Sequence, residues 1–192
     1  MALICGIDEA GRGCVAGSLF VAGFVCDDNE DLFALGIKDS KKLSRSKRFA
    51  LESTLRDNFA THIVQKSAAQ IDTQGLSALL RDALQEIMEH FAPLCDRFIF
   101  DGNTSFNAKP PSGVRLETLV QGDMLVAAIS CASIIAKCAK DRESLELDKR
   151  FPQYGLAKHC GYGTKAHYEA LRRYGLSPIH RASFLTRLGF VR

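Results

Sequence analysis

Four acidic residues follow apolar or glycine-containing segments at positions where carboxylates can gather into one site. Asp8 and Glu9 directly follow an apolar segment that ends at Ile7, and Asp101 follows the apolar residues 98–100. Ligands bind at the carboxyl ends of the strands in open α/β sheets, so strand ends can bring such side chains together. The fourth acid follows Gly122 at the start of a predicted helix. We therefore expect one site formed by the four acids, which are Asp8, Glu9, Asp101 and Asp123.

A cluster of this kind has a definite chemistry. Two like charges about 5 Å apart repel by roughly 3 kcal/mol at an effective dielectric constant of 20. Several such pairs would rival the whole stability of a domain, which is about 5–15 kcal/mol. The four acids must therefore take up protons or bind cations, and oxygen ligands suit Mg²⁺ or Mn²⁺. Two such ions suit the hydrolysis of a phosphodiester, which needs no histidine or cysteine nucleophile.

Each acid also has a purely structural explanation. Asp123 is a candidate N-cap of its helix, and Asp101 is a candidate cap of a turn with Gly102. Asp8 and Glu9 are compatible with an exposed loop. Adjacent residues of a strand point to opposite faces, so these two share a metal only if the strand ends or bends there.

A glycine-rich turn follows the paired acids immediately. It consists of Gly11, Arg12 and Gly13. Glycines let backbone amides approach a ligand closely, and an arginine can bind a phosphate group. The alternative is a flexible turn without a ligand. Further phosphate contacts are expected from Lys41, Lys42 and Arg45.

Two other groups of polar residues are candidates for contacts with a nucleic acid. One side of a predicted long helix carries Ser130, Ser133, Lys137 and Lys140 at helical spacing. The alternative for this group is a solvated stripe. Tyr162 stands between two glycines and beside Lys165 at a helix start, where its ring can contact a sugar or a base. Packing within a loop is the alternative for Tyr162.

Composition and charge narrow the class of protein. The 192 residues are 46% hydrophobic and 24% charged, which is typical of a globular chain. No apolar segment approaches the length of a membrane span, and the N-terminus does not resemble a signal peptide. Seven cysteines without a CxxC pair predict reduced thiols in a cytoplasmic protein. Residues 151–192 contain seven Lys and Arg but one acid, which favours a polyanionic partner, although solvated faces would explain it too.

The pattern of apolar residues predicts the elements that must position these groups. Strands are predicted at 2–7, 19–26, 60–68, 97–101 and 114–121. Helices are predicted from Ser44 to 58, over 76–92, from Asp123 to Leu147, and from Thr164 to Arg173. We expect a single α/β or α+β domain over 1–192, with a central mixed sheet flanked by helices and a basic helical C-terminal portion at about 151–192. We expect a monomer, because no exposed apolar heptad is evident.

Five segments together resemble the type 2 ribonuclease H family, in particular bacterial ribonuclease HII. They are CGIDEAGRG at 5–13, GIKDSKKLSRSKR at 36–48, DGN at 101–103, GDMLVAAISCASIIAK at 122–137 and HCGYGTKAHYEALRRYGLSPIHRASF at 159–184. The resemblance implies a ribonuclease H-like fold. It implies cleavage of the RNA strand of RNA–DNA hybrids, and cleavage on the 5′ side of single ribonucleotides embedded in duplex DNA. The products would carry 3′-hydroxyl and 5′-phosphate ends.

The resemblance also assigns roles to particular residues. The catalytic acids of the family match the four acids, which would bind two Mn²⁺ or Mg²⁺ ions. The glycine-rich turn matches the family's sensor of the ribose 2′-hydroxyl. Tyr162 matches a tyrosine that stacks on the sugar of the following deoxynucleotide. The family often has proline where this chain has Cys14 and Ser18, and alanine where it has Cys131. A sliding clamp is a candidate partner, and no membrane contact is expected.

Two other functions remain compatible with the sequence. A protein that binds RNA–DNA hybrids without cutting them would keep the basic segments but would not need the four acids. Another metal-dependent nuclease of similar fold would cut DNA that contains no ribonucleotide. An assay with Mn²⁺ on a duplex with one ribonucleotide distinguishes the binding protein, and an all-DNA duplex distinguishes the other nuclease.

Overall fold

The structure is a computed structural model that describes residues 2–28, 32–37 and 43–190. Five strands of the described residues form one mixed sheet in the order β3-β2-β1-β4-β5. They are β1 (Leu3–Ala10), β2 (Leu19–Asp27), β3 (Ala60–Lys66), β4 (Arg97–Asp101) and β5 (Arg115–Leu119). β2 is antiparallel to both β1 and β3, whereas β4 is parallel to both β1 and β5. The predicted mixed sheet is confirmed.

Eight α-helices of the described residues accompany the sheet, and of these the third and the fifth cover its opposite faces. They are α1 (Arg45–Asn58), α2 (Ala68–Gln74), α3 (Leu76–Phe91), α4 (Gly122–Leu125), α5 (Ala127–Arg150), α6 (Leu156–His159), α7 (Lys165–Tyr174) and α8 (Ala182–Leu185). The predicted caps of two helices are confirmed, because the side chain of Ser44 accepts from the Lys47 amide and that of Thr164 from the His167 amide. α2 was not predicted, although Ser67 and Gln70 form a capping box at its start.

β1 lies in the middle of the sheet, and its two faces contact different helices. Ile4 and Ala10 belong to the apolar cluster that contains the buried residues of α5. Cys5 and Ile7 belong to the cluster that contains the apolar stripe of α3. Burial on both faces explains why the strand is apolar at consecutive positions rather than at alternate ones.

Gly6 allows α5 to pack very close to β1. A Cβ atom at this position would lie 2.3 Å from both the carbonyl carbon of Ala128 and the amide nitrogen of Ile129. The first turn of α5 therefore rests on the β1 backbone two residues before Asp8. This contact sets the distance between the helix and the acidic end of the strand.

The prediction of one continuous helix from Asp123 to Leu147 is wrong. The segment forms two helices, α4 and α5, separated by Val126, whose φ of −122° and ψ of 117° are extended. A β-branched residue adopts this backbone readily. The Val126 carbonyl accepts from the Ser130 amide, so α5 begins anew after the break. Asp123 therefore lies on a separate helical turn with its own direction.

The C-terminal segment packs against the loop between β1 and β2. Val15 and Ala16 share a buried apolar cluster with Tyr154, Leu171 and Leu185. The Val15 and Ala16 amides both donate to the carbonyl of Gly161. These contacts connect the C-terminal helices to the loop that follows the paired acids. Among the helices that the structure describes, none is both long enough and apolar enough to cross a membrane.

Candidate active site

Asp8 and Glu9 lie within β1 and not in a loop after it. The strand continues to Ala10, and the two acids pair with Ala22 and Val21 of β2. Asp8 is 7% exposed, so the alternative of an exposed loop pair is wrong. By the alternation of the strand, Asp8 belongs to the face covered by α5 and Glu9 to the opposite face. The strand does not end at these acids, but the charge of Asp8 still raises the pKa of Glu9, so the two carboxyls lie close enough to interact.

The Asp8 carboxyl is buried beside polar groups from α5. Burial raises its pKa to about 6, while a hydrogen bond from Ser133, the charge of Lys137 and the Glu9 amide act in the opposite direction. The Glu9 amide donates to Asp8 Oδ1 over 2.7 Å. Desolvation therefore outweighs three favourable contacts, which marks a carboxylate that needs additional positive charge.

The Glu9 carboxyl is close enough to two other acids to be affected by their charges. Burial, together with the charges of Asp8 and Asp101, raises its pKa to about 7, and Arg12 acts in the opposite direction. Arg12 Nη1 lies 3.4 Å from Glu9 Oε1. Oε2 of Glu9 is buried and has no hydrogen-bond partner among the described residues. An unsatisfied buried carboxylate oxygen is a suitable cation ligand.

Asp101 ends β4 alongside Asp8. β1 and β4 are parallel, and Ile7 pairs with Phe100, so the next residues of the two strands are neighbours. Asp101 Oδ1 accepts a hydrogen bond of 2.9 Å from the amide of Gly122. The amide of Gly102 donates instead to the carbonyl of Leu119 in β5. The side chain of Asp101 therefore reaches the start of α4 rather than capping a turn with Gly102.

Asp123 lies in the first turn of α4 and is 5% exposed. The N-cap of α4 is Gln121, in the left-handed conformation with φ of 58°, so the prediction of Asp123 as an N-cap is wrong. The backbone carbonyl of Asp123 accepts from the hydroxyl of Ser130. The backbone around Asp123 is thus fixed on two sides: its carbonyl is bonded to Ser130 of α5, and the amide of the preceding Gly122 is bonded to Asp101.

The four acids differ in how closely they are associated. The charge of Asp101 acts on both Asp8 and Glu9, whereas Asp123 is linked to them through the backbone of Gly122. Within the part of the chain that the structure describes, no three His, Cys, Asp or Glu side chains form a compact metal site. The donors are nevertheless all oxygens, and Glu9 Oε2 is available. This donor set fits a hard divalent cation such as Mg²⁺ or Mn²⁺.

The glycine-rich turn lies directly beside Tyr162. Gly11 has φ of +89°, and a Cβ atom there would lie 2.7 Å from the carbonyl oxygen of Ser18. Only glycine adopts this backbone without strain. A Cβ atom at Gly13 would meet nothing closer than the Tyr162 ring, at 3.9 Å. Cys14 forms a β-bridge with Tyr162, whose side chain is half exposed, so turn and ring face one space.

A cavity of about 280 Å³ adjoins the turn and the tyrosine. The residues that line it are Ala10, Gly11, Arg48, Lys137, Lys140, Asp141, Cys160 and Tyr162. It is thus bounded by β1, by α5, by the first residue of the glycine-rich turn and by Tyr162. Lys137 lines the cavity and its charge acts on Asp8, which makes the cavity a suitable place for the backbone of a nucleic acid strand.

The four polar residues predicted on one side of the long helix lie on α5. They do not form a solvated stripe, so the alternative of a solvated stripe is wrong. Ser130 and Ser133 are fully buried, and Lys140 is 4% exposed. Lys137 Nζ donates to Ser133 Oγ over 2.6 Å, and Ser133 in turn hydrogen-bonds Asp8. Ser133 and Lys137 therefore lie directly behind the first of the four acids.

The remaining predicted phosphate contacts have different surroundings. Arg45 is bound within the protein, because its Nη2 donates to the Ala157 carbonyl and its Nε lies 3.4 Å from Asp141. Lys165 is exposed at the start of α7 and lies 4.0 Å from Glu169. Lys41 and Lys42 lie outside the described residues.

The positions where the family often has proline carry hydrogen-bonding side chains. Cys14 Sγ donates to the carbonyl of Cys160, and both oxygens of Glu143 accept from the Ser18 amide. Gln65 donates to the Ser18 hydroxyl. The turn is therefore restrained by polar contacts.

Several residues beneath this site were missed by sequence reasoning. Arg181 is fully buried below the glycine-rich turn, and His167 is fully buried below Tyr162. His167 Nδ1 lies 2.9 Å from the Tyr162 carbonyl, and Nε2 lies 3.2 Å from Nε2 of His180. The only feature of the sequence that pointed to these residues was the basic C-terminal segment. Composition does not distinguish a buried arginine in that segment from a solvated one.

Comparison with known proteins points to one family. A model of the family Ribonuclease HII matches residues 5–188. Ribonuclease HII of Helicobacter pylori strain P12 is 50% identical over 192 residues, covering 95% of this chain and 91% of that protein. Ribonuclease HII from Archaeoglobus fulgidus, solved in a PCNA:RNase HII complex, aligns with a TM-score of 0.83 and 28% identity over 95% and 94% of the two chains. A Bst-RNase HIII solved with Mn²⁺ aligns with a TM-score of 0.71 at 21% identity, over 91% of this chain and 63% of that one, and shares the fold.

Proposed function

This chain belongs to the ribonuclease HII family and is a ribonuclease that acts on RNA–DNA hybrids, and from that premise we propose that the four acids bind its catalytic cations. The observation that carries the proposal is the coupling of Asp8, Glu9 and Asp101. Burial and mutual repulsion raise the pKa of Asp8 to about 6 and that of Glu9 to about 7. Carboxyls in this state gain most from a divalent cation.

The cation chemistry and the residues have separate roles. When bound, a pair of Mn²⁺ or Mg²⁺ ions supplies the Lewis acidity for an in-line hydrolysis that leaves 3′-hydroxyl and 5′-phosphate ends. Asp8 and Asp101 lie side by side on the neighbouring parallel strands β1 and β4, and Asp123 approaches from α4. The Gly122 amide orients Asp101 by its bond to Oδ1. Ser133 orients Asp8, and Lys137 supplies positive charge beside it.

The choice of ribonucleotide over deoxyribonucleotide is assigned to the glycine-rich turn. The 2′-hydroxyl is the group that distinguishes RNA from DNA at a given position. Gly11 and Gly13 let the backbone come close to that hydroxyl, and Arg12 neutralises charge beside Glu9. The Tyr162 ring borders the space beside Gly13, where an added Cβ atom would lie 3.9 Å from it, and this placement supports stacking of the ring on the following sugar. Together these groups favour cleavage on the 5′ side of a single embedded ribonucleotide.

The phosphate backbone of the substrate would pass through the cavity beside Lys137. Lys165 at the start of α7 and the pair Lys41 and Lys42 are proposed as further phosphate contacts. Cationic side chains that contact phosphates bind the backbone of any sequence, which suits an enzyme that selects the sugar and not the base. Substrates are thus RNA–DNA hybrids and duplex DNA that contains ribonucleotides.

The deciding experiment maps the products from a DNA duplex with one embedded ribonucleotide in Mn²⁺. We expect one cut, 5′ to the ribonucleotide, with a 3′-hydroxyl and a 5′-phosphate. Binding without cleavage would point to a silent hybrid-binding protein. Cleavage of an all-DNA control duplex would point to a nuclease that does not sense the ribose.

Two further expectations concern the surroundings of the enzyme. The Archaeoglobus fulgidus relative was solved in complex with PCNA, and we propose a sliding clamp as a partner of this chain as well. Co-purification with an added clamp would test this proposal. If no complex with the clamp forms even at low salt, the proposal is contradicted. The seven free cysteines support action in the cytoplasm, where thiols stay reduced.

A further inference from the structure

Arg181 is a fully buried arginine beneath the glycine-rich turn. It stands between His180 and α8, in the segment that follows α7. Its guanidinium packs over the Phe184 ring, 5.3 Å from the centroid. Burying a guanidinium is costly unless its donors are used, so a fully buried arginine requires an explanation.

Nε and Nη1 of Arg181 donate to the backbone of the loop that contains the glycine-rich turn, whereas its buried Nη2 has no hydrogen-bond partner among the described residues. Nε donates to the Gly17 carbonyl over 2.9 Å, and Nη1 donates to the Arg12 carbonyl over 3.2 Å. The Arg181 amide donates to the Val15 carbonyl over 2.9 Å. One residue therefore bonds three carbonyls within residues 12–17. Two of these bonds need the planar fork of donors that arginine has and lysine lacks.

The loop over residues 11–17, which contains the glycine-rich turn, needs such support because two of its glycines have positive φ angles. Gly11 and Gly17 have φ of +89° and +77°, and a Cβ atom at either would collide with a neighbour. The Gly17 amide also donates to the Ile179 carbonyl over 2.8 Å, so the segment around Arg181 contacts the turn at several atoms. Glycine makes the backbone of this turn flexible. The segment around Arg181, about 165 residues away in the chain, holds the Gly11 to Gly13 backbone in one conformation.

A counter-charge lies on the other side of the turn. Both oxygens of Glu143 accept from the Ser18 amide, and Lys140 Nζ donates to Glu143 over 2.8 Å. The charge of Glu143 also acts on Arg181. The loop after β1 is therefore held between α5 on one side and the segment before α8 on the other.

We propose that Arg181 is a positioning residue that holds the carbonyls of Arg12 and Gly17 so that the turn can discriminate the ribose 2′-hydroxyl. Arg181 does not touch the substrate and acts through the turn. This inference rests on the proposed role of Gly11, Arg12 and Gly13 as the sugar sensor. It assigns to the C-terminal segment a part in sugar selection, in addition to any contact with phosphates.

The test measures sugar selectivity without cleavage. Affinities for a DNA duplex with one ribonucleotide and for the same all-DNA duplex are compared in Ca²⁺, for the natural protein, Arg181→Lys and Arg181→Met. The control is Ser183→Ala, which removes a bond to Asp72 in the same segment but none to the turn. Thermal melting of each variant reports its folding.

We expect both Arg181 variants to lose selectivity on the order of 10- to 100-fold, the effect of a misplacement of about 1 Å, while their affinity for all-DNA duplex stays within a few-fold. Arg181→Lys should keep more selectivity than Arg181→Met. A merely structural arginine would lower the melting temperature and leave the ratio of affinities unchanged, as Ser183→Ala should.

Three outcomes would overturn the inference. Unchanged selectivity in folded Arg181→Lys and Arg181→Met would show that the turn does not depend on Arg181. Failure of both variants to fold, with Ser183→Ala folded, would show that the arginine is needed for folding alone. A natural protein that does not prefer the ribonucleotide duplex would overturn the proposed sugar sensor itself, and the two failures are thereby distinguished.

Discussion

The backbone amide of Gly122 donates a hydrogen bond to Oδ1 of Asp101 over 2.9 Å. This bond joins the end of β4 to the start of α4, and so connects two acids that are far apart in the sequence. Asp123, the next residue along the chain, is buried as a consequence of this junction. A Cβ atom at Gly122 would lie 2.6 Å from the Cδ1 atom of Ile129, so the approach of α4 to α5 also depends on glycine.

Removing charge from either strand-end acid should abolish cleavage and leave the fold intact. We expect Asp8→Asn and Asp101→Asn each to lower kcat by about 10²–10³-fold or more, the scale for losing a preorganised electrostatic contact. Asp8→Asn should not lower the melting temperature, because it removes a carboxyl whose burial is unfavourable. Cleavage assays in Mn²⁺ and thermal melting measure the two effects. Asp82→Asn on α3, at a partly exposed position, serves as the control, and near-normal rates in Asp8→Asn or Asp101→Asn would contradict the assignment.

Divalent cations should stabilise the protein more at high pH than at low pH. In the folded protein the pKa of Asp8 is raised from 3.8 to about 6 and that of Glu9 from 4.5 to about 7. Between about pH 4 and pH 7 the folded state therefore holds protons that the unfolded state has lost, and the free energy of unfolding without metal falls as the pH rises. Above pH 7 both carboxyls are ionised, and a cation relieves their repulsion.

Melting curves with Mg²⁺ or with EDTA, at pH 5 and pH 8 and matched ionic strength, measure this effect. A cation at 100 times its Kd adds about 2.7 kcal/mol, which corresponds to roughly 5–11 °C for a chain of this size. The increase should be largest at pH 8 and should shrink in Asp101→Asn. Equal shifts at both pH values would contradict the coupling of cation and proton binding.

Tyr162 should matter more for a single ribonucleotide than for a long hybrid. Its ring is half exposed beside Gly13, and stacking on a nucleotide is worth about 1–3 kcal/mol. We expect Tyr162→Ala to lower kcat/KM on a duplex with one ribonucleotide roughly tenfold or more, and to lower it less on a long RNA–DNA hybrid. Tyr162→Phe keeps the ring and is the matched control. Equal losses on both substrates in Tyr162→Ala would count against the proposed role.

A methyl group at Gly6 should destabilise the sheet–helix contact next to the site. Its Cβ atom would lie 2.3 Å from backbone atoms of Ala128 and Ile129, which cannot move independently. We expect Gly6→Ala to lower the free energy of unfolding by about 3 kcal/mol or more, at the upper end of overpacked substitutions. Chemical denaturation measures the loss. Gly113→Ala, where a Cβ atom meets nothing within 4 Å, should cost only the strain of its positive φ, and a similar loss in both would contradict the steric explanation.

Local patterns were sufficient for most elements of the fold. The apolar stripe of α3 and the acid-terminated β4 agree with their predicted bounds to within a residue. These elements are determined by the spacing of apolar residues and by nearby caps, which are local properties. The break at Val126 was missed because it depends on how α4 packs against Ile129 of α5 and bonds to Asp101.

The sequence by itself determined the chemistry of this protein: which carboxylates are available, where the glycines allow close approach, and which family the motifs resemble. Only the tertiary structure decided how these residues are arranged. It placed Asp8 and Asp101 on neighbouring parallel strands, buried Ser133 behind Asp8, and brought Arg181 under the turn. Residue types and spacings are properties of the chain, whereas burial and hydrogen bonds between distant segments arise only when the sheet pairs and the helices pack.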